Sequence, residues 1–287
     1  MWQPDPGWHP LPGGLGPSTA GVWRAELGGR TVVVKRLMAP ADDQREPGIR
    51  MPGHAGYWRR QADVAISGLV DGTPGLRAPV TAVEEDAAVN GLFAAAGLGR
   101  FAAADLGEAA WLARDLMRDR LGRVERGGGW PTLARTPVAD VADHLWRHRG
   151  ERLADLDALP RVAQHGDPGR PNLPGRVDDV IVALDWGTLG HGPVGGDLGY
   201  FALSAKEEFE PLLDAYRDRL PPGTATAEQI TRGAQLTAVY TALNRAEWAL
   251  ARVAPGEGAL AGKFRHPSVA PYLRALQRLH PQLEAVL

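Results

Sequence analysis

The sequence predicts an α+β protein of two lobes, with a small antiparallel β-sheet and one helix over residues 1–96 and a larger, mainly helical unit over 97–287. Three observations carry this. Residues 21–37, GVWRAELGGRTVVVKRL, place two β-prone runs on either side of Gly28-Gly29, a two-residue hairpin signal. After about residue 100 the apolar residues recur with helical spacing. Between the helical stretches, residues 164–187 interpose QHGDPGRPNLPGRVDDVIVALDWG, a proline-broken loop followed by the strand-like run VIVAL.

In chain order, LPGGLGPSTAG is a glycine-rich loop carrying two hydroxyls, and it leads into the hairpin. A polar stretch broken by Pro and Gly connects the hairpin to YWRRQADVAISGL, helical through Trp58, Ala62, Ala65 and Leu69. RAPVTAVEED and AVNGLFAAA read as two more short strands. AAADLGEAAWLARDLMRDRLG then presents Leu106, Ala109, Leu112, Ala113, Leu116 and Met117 as a helix face. TPVADVADHLWRHRGERLADL repeats that pattern, with Pro137 suited to a first helical turn. Beyond the 164–187 segment, helices are expected over about 196–220, 226–253 and 267–286. Two such lobes leave a cleft between them, where ligands usually bind.

Composition narrows the function classes. A formal net charge of −2 argues against a nucleic-acid or anionic-membrane partner. With no cysteine, thiolate catalysis, disulfides and Cys-type zinc sites are excluded. The N-terminus lacks the basic and apolar regions of a signal peptide, and no apolar run is long enough to span a bilayer, so a cytoplasmic monomer or homodimer is expected. Only Lys35, Lys206 and Lys263 are lysines among 32 basic residues, which makes a lysine inside a strand conspicuous.

Asp167, Asn172 and Asp185 are all oxygen donors, and hard cations such as Mg²⁺ take one or two carboxylates together with phosphate oxygens. If the chain turns back at Arg176–Asp179, Asn172 and Asp185 come together and Asp167 is left to face a substrate hydroxyl. Phosphoryl transfer requires that division of labour.

Asp167-x₄-Asn172, with Asp185 after a hydrophobic strand, resembles the catalytic and metal loops of protein-kinase-like enzymes. With HGD and LDW, and with GPVGGDLGYFA downstream, the chain resembles the aminoglycoside phosphotransferase/choline kinase family. The resemblance covers about residues 10–220 and implies a bilobal protein-kinase-like fold, ATP and Mg²⁺ as cofactors, and a small hydroxylated acceptor, with antibiotic resistance as one use. It implies Asp167 as the catalytic base, Asn172 and Asp185 as metal ligands, and Asp197 as a brace for the loop; His165 itself is expected to be structural, holding the loop through backbone hydrogen bonds. Lys35 falls where the family binds phosphate, and Gly14, Gly16, Ser18 and Thr19 fall in the loop that covers the nucleotide. Arg170 is a candidate to neutralise the transferred phosphoryl group, from its place in the loop.

The family pattern is broken in one place. Gln61, with Asp63 nearby, stands where a glutamate partner for Lys35 is expected. Residues 200–287 hold nine acidic and ten basic side chains, so the acidic excess expected for a polycationic acceptor is missing. A neutral or singly charged sugar, amino sugar, nucleoside-type antibiotic or amino alcohol is expected instead, with Glu207, Glu208, Glu247 and Trp248 as candidate contacts. Two other classes compete. One is a catalytically silent nucleotide-binding pseudokinase; the other is a metal-dependent hydrolase with His165, Asp167 and Asp185 as ligands.

Overall fold

The computed structural model describes residues 4–12, 18–40, 48–70, 73–77, 91–130, 137–205, 207–253 and 260–284. Gly14 and Gly16 lie outside them, as do residues 78–90, where most of the first additional strand was expected.

The N-terminal sheet has the order β1 (His9–Pro10), β2 (Thr19–Leu27), β3 (Arg30–Leu37), all antiparallel. The β2–β3 turn falls on Gly28 and Gly29, both at positive φ (59° and 76°), which glycine adopts without steric cost. A register shift at Thr19/Gly21 brings Val22 opposite Lys35. The sheet is thinly packed: Ala25 is its one buried side chain.

Helix α1 (Arg60–Ser67) ends at Gly68, which is left-handed. It is anchored by Arg60, whose side chain is fully buried. The guanidinium donates to five carbonyls: Pro52 (3.1 Å), His54 (2.6 Å), Ala55 (2.7 Å), Trp111 (2.5 Å) and Gly187 (2.6 Å). Burial lowers its pKa to about 10, with Asp119 pulling the other way, so it remains charged at neutral pH.

Strand β4 (Leu76–Arg77) joins the helical unit, because it pairs in parallel with β7 (Val180–Val182), which in turn pairs antiparallel with β6 (Gly175–Val177). Of the expected strand AVNGLFAAA, the described part, residues 91–96, is instead the start of helix α2 (Gly91–Phe101). Ala94, Ala95, Leu98 and Phe101 are buried there, with Gly91, Gly97 and Gly99 also buried. A short run that is apolar on nearly every side has no periodicity to separate strand from helix. Because α2 runs through residue 96, it joins the helical unit, packing on α6 (Gly196–Ala202) and α7 (Phe209–Arg217).

Residues 102–115 are likewise not helical; α3 is confined to Leu116–Arg126. Leu106, Leu112 and Ala113 are nonetheless buried, because turns aim them at the core. Helices α4 (Pro137–Arg147) and α5 (Arg149–Asp157) follow the expected pattern, with Pro137 as the first residue of α4. Strand β5 (Arg161–Gln164) pairs antiparallel with β8 (Gly190–Pro193). The expected 196–220 helix is α6 and α7 with a break between them. Helix α8 (Ala227–Val253) is buried on most of its circumference, and α10 (Ala270–Glu284), preceded by the single turn α9 (Leu260–Lys263), packs along it.

The α6–α8 crossing depends on Gly199. A Cβ there would lie 2.0 Å from the Ala234 carbonyl oxygen. Gly199→Ala is expected to lower the unfolding free energy by about 1–3 kcal/mol, since overpacking against backbone outweighs the gain in helix propensity. The urea midpoint measures it.

Candidate active site

The antiparallel pair β5–β8 holds two loops side by side, 165–174 and 183–189. Several hydrogen bonds fasten the first. The backbone N–H groups of His165 and Gly166 donate to the two carboxylate oxygens of Asp197 (2.7 and 2.9 Å), which projects from the first turn of α6. Burial raises the Asp197 pKa, opposed by these two N–H groups and Arg120. Asn172 Nδ2 donates to the Asp167 carbonyl (2.8 Å).

The two loops are stitched together. Leu184 N–H donates to the Asn172 carbonyl (2.8 Å), and Thr188 Oγ1 to the His165 carbonyl (2.8 Å). The buried His165 ring places Nε2 2.8 Å from the Leu184 carbonyl and receives Asp167 N–H on Nδ1 at 3.3 Å. A neutral ring protonated on Nε2 satisfies both contacts. With both ring nitrogens occupied by backbone, His165 is a brace and has no lone pair to offer a metal.

The β6–β7 hairpin turns over the exposed Asp178 and Asp179, as the sequence suggests, and delivers Asp185 to the end of the second loop. Asp185 itself has φ 60° and ψ 58°, a left-handed conformation costly for a residue with a side chain and common at functional sites. Its Oδ1 receives Gln61 Nε2 and lies 3.6 Å from Lys35 Nζ. Lys35 therefore pairs with Asp185, and neither Gln61 nor Asp63 is its partner. Asp63 is held by Arg59 at 3.0 Å.

Two cavities meet at this point. One, about 250 Å³, lies between the sheet and the loops and is lined by Ser18, Thr19, Lys35, Gln61, Asp167 and Asp185 among others. The other, about 820 Å³, lies between the 167–172 loop, α6, α8 and α10. Asn172, Tyr200, Arg245 and Trp248 line it, and Asp167 lines both.

Asp167 is held by groups that the sequence reading did not single out. Arg245 Nη2, from α8, lies 3.0 Å from its Oδ1 and also donates to the Tyr200 hydroxyl. Burial works against the Arg245 charge, but Tyr200 and Asp167 reverse this and its pKa stands above the usual value. Tyr200 is pushed up by burial and then by Asp167, to which its hydroxyl hydrogen-bonds. The Arg120 guanidinium lies 5.3 Å from the Tyr200 ring centre and donates to the Gly166 carbonyl (2.8 Å), with its pKa lowered by burial.

Arg170 is not part of this group. It lines neither cavity, and its guanidinium lies 4.0 Å from Glu207, whose carboxylate also accepts Gly91 N–H (2.7 Å). The cation beside Asp167 is Arg245. Of the candidate acceptor contacts, Trp248 lines the larger cavity, while Glu247 is buried against Arg123 (3.3 Å) and Glu207 and Glu208 line a separate recess.

The donors available to a cation are Asn172 Oδ1 and the Asp185 carboxylate, on loops joined by the Asn172–Leu184 hydrogen bond. An all-oxygen pair with a single carboxylate fits Mg²⁺ completed by phosphate and water. Among the described residues no group of three or more His, Asp or Glu forms a metal site. None of the described helices is long and apolar enough to cross a membrane.

The model of the APH family, described as a phosphotransferase enzyme family, matches residues 64–230, more than half of the chain and both loops of the site. Among solved structures, a choline/ethanolamine kinase family protein from Mesorhizobium loti is similar over 95% of this chain and 93% of its own, with 17% identity and a TM-score of 0.49. No curated protein matches the chain.

Proposed function

The chain belongs to the APH phosphotransferase enzyme family, and from that premise we propose that it transfers the γ-phosphate of ATP to a hydroxyl of a small molecule. One observation supports this above the others: Asp167 is exposed both to the cleft beneath the sheet and to the large cavity beyond it. In this reading nucleotide occupies the first, in a lobe that ends ahead of α2, and acceptor the second.

Asn172 and Asp185 would hold Mg²⁺, which when bound neutralises and orients the phosphates. Lys35 Nζ, directed into the cleft, binds the inner phosphates, with Ser18 and Thr19 on the same wall. Asp167 orients the acceptor hydroxyl. The hydroxyl oxygen forms a new bond to the γ-phosphorus while the bond from that phosphorus to the β–γ bridging oxygen breaks. ADP keeps that electron pair, and the hydroxyl proton passes to Asp167 late in the step. Tyr200 and Arg245 fix the carboxylate for this role.

Incubation with MgATP and a panel of sugars, amino sugars, nucleoside antibiotics and amino alcohols tests the proposal. Acceptor-dependent ADP release, with one phosphate gained by the acceptor in the mass spectrum, is the expected result. Lys35→Ala is expected to reduce kcat/KM for ATP by about tenfold to a hundredfold, the worth of a charge-assisted phosphate contact. Steady-state kinetics at saturating acceptor measure it.

A second reading, a nucleotide binder without turnover, draws on the pairing of Lys35 with Asp185 in place of a helix carboxylate. Nucleotide binding with no ADP release for any acceptor would select it.

A further inference from the structure

The acceptor cavity has a charge pattern of its own. Among the described residues its only carboxylate is Asp167, already engaged by Arg245 and Tyr200. Arg252 also lines the cavity, and no carboxylate of the described residues pairs with it. Its guanidinium instead lies over the Trp248 ring, 4.6 Å from the centre. Stacking holds the plane in place and leaves the N–H edge for a planar or tetrahedral oxyanion, a geometry that lysine cannot offer.

Residues 245, 248 and 252 share one face of α8, at i, i+3 and i+7. At 1.5 Å per residue, Arg252 stands about 10 Å along the helix from Arg245, the residue that holds Asp167.

We propose that the acceptor carries an acidic group, carboxylate or phosphate, remote from the hydroxyl that is phosphorylated, and that Arg252 receives it about two helical turns along α8 from Arg245. The inference rests on the phosphotransferase reading and deepens it. A polycationic acceptor would face two guanidinium groups and one carboxylate that is already paired, so the cavity selects against it.

Equilibrium binding to the full-length chain tests this without requiring turnover. Calorimetric titrations with p-nitrophenyl glucuronide and p-nitrophenyl glucoside compare ligands that differ by one carboxylate, with kanamycin as the polycation. The glucuronide is expected to bind about tenfold more tightly than the glucoside, the worth of one charge-assisted contact. Kanamycin is expected not to compete with it. Arg252→Gln should remove the difference and Arg252→Glu should reverse it, with affinity for a non-hydrolysable ATP analogue confirming that each variant is folded. Equal affinity for the pair, no binding of the glucuronide, or tighter binding of kanamycin overturns the assignment. ADP-release measurements run separately: turnover without an anion preference defeats this inference alone, and an anion preference without turnover defeats only the phosphotransferase reading.

Discussion

Asp167→Asn is expected to lower kcat by about 10²- to 10⁴-fold, the usual contribution of a positioned general base. The amide keeps the shape of the carboxylate but cannot take the acceptor proton. It also removes the negative partner of Arg245 at 3.0 Å. Affinity for a non-hydrolysable ATP analogue, measured by calorimetry, should change little, because Lys35, Ser18 and Thr19 are untouched on the opposite wall. The split between lost turnover and retained binding identifies the role. Turnover close to wild type would refute it.

The largest loss of stability is expected at Arg60. Arg60→Met keeps the bulk of the side chain but leaves five carbonyls, on three separate stretches of backbone, without their donor. Each unsatisfied buried acceptor costs about 1–3 kcal/mol. The combined loss is expected to exceed about 4 kcal/mol, a large part of the stability of an ordinary domain. Arg60→Lys should recover only a fraction, since one ammonium cannot span acceptors arranged around a planar fork. Denaturant unfolding of the three proteins gives the ranking. Activity should fall as well, because Gly187 belongs to the loop that carries Asp185.

What the sequence made legible was local. The hairpin shows because Gly28-Gly29 and its flanking β-prone runs are contiguous. The two loops show because Asp167, Asn172 and Asp185 lie within twenty residues, and the Asp178–Asp179 turn joins them. Reading failed where burial replaced periodicity. Residues 91–101 are apolar on nearly every side and form a helix, while 102–115 bury their apolar side chains from turns.

Side-chain direction was equally hidden. Arg170 sits in the right loop, yet its backbone turn carries it toward Glu207. Arg245 is 78 residues from Asp167, on a helix with nothing locally unusual, and only the packing of α8 against α6 brings it there. The departure at Gln61 was visible in the sequence; its contact with Asp185 was not.

The sharing of Asp167 between two separate hollows has a kinetic consequence. On the proposed assignment each reactant has its own cavity, so both can be bound at once. With nucleotide and acceptor placed as proposed, direct transfer within a ternary complex is the expected course.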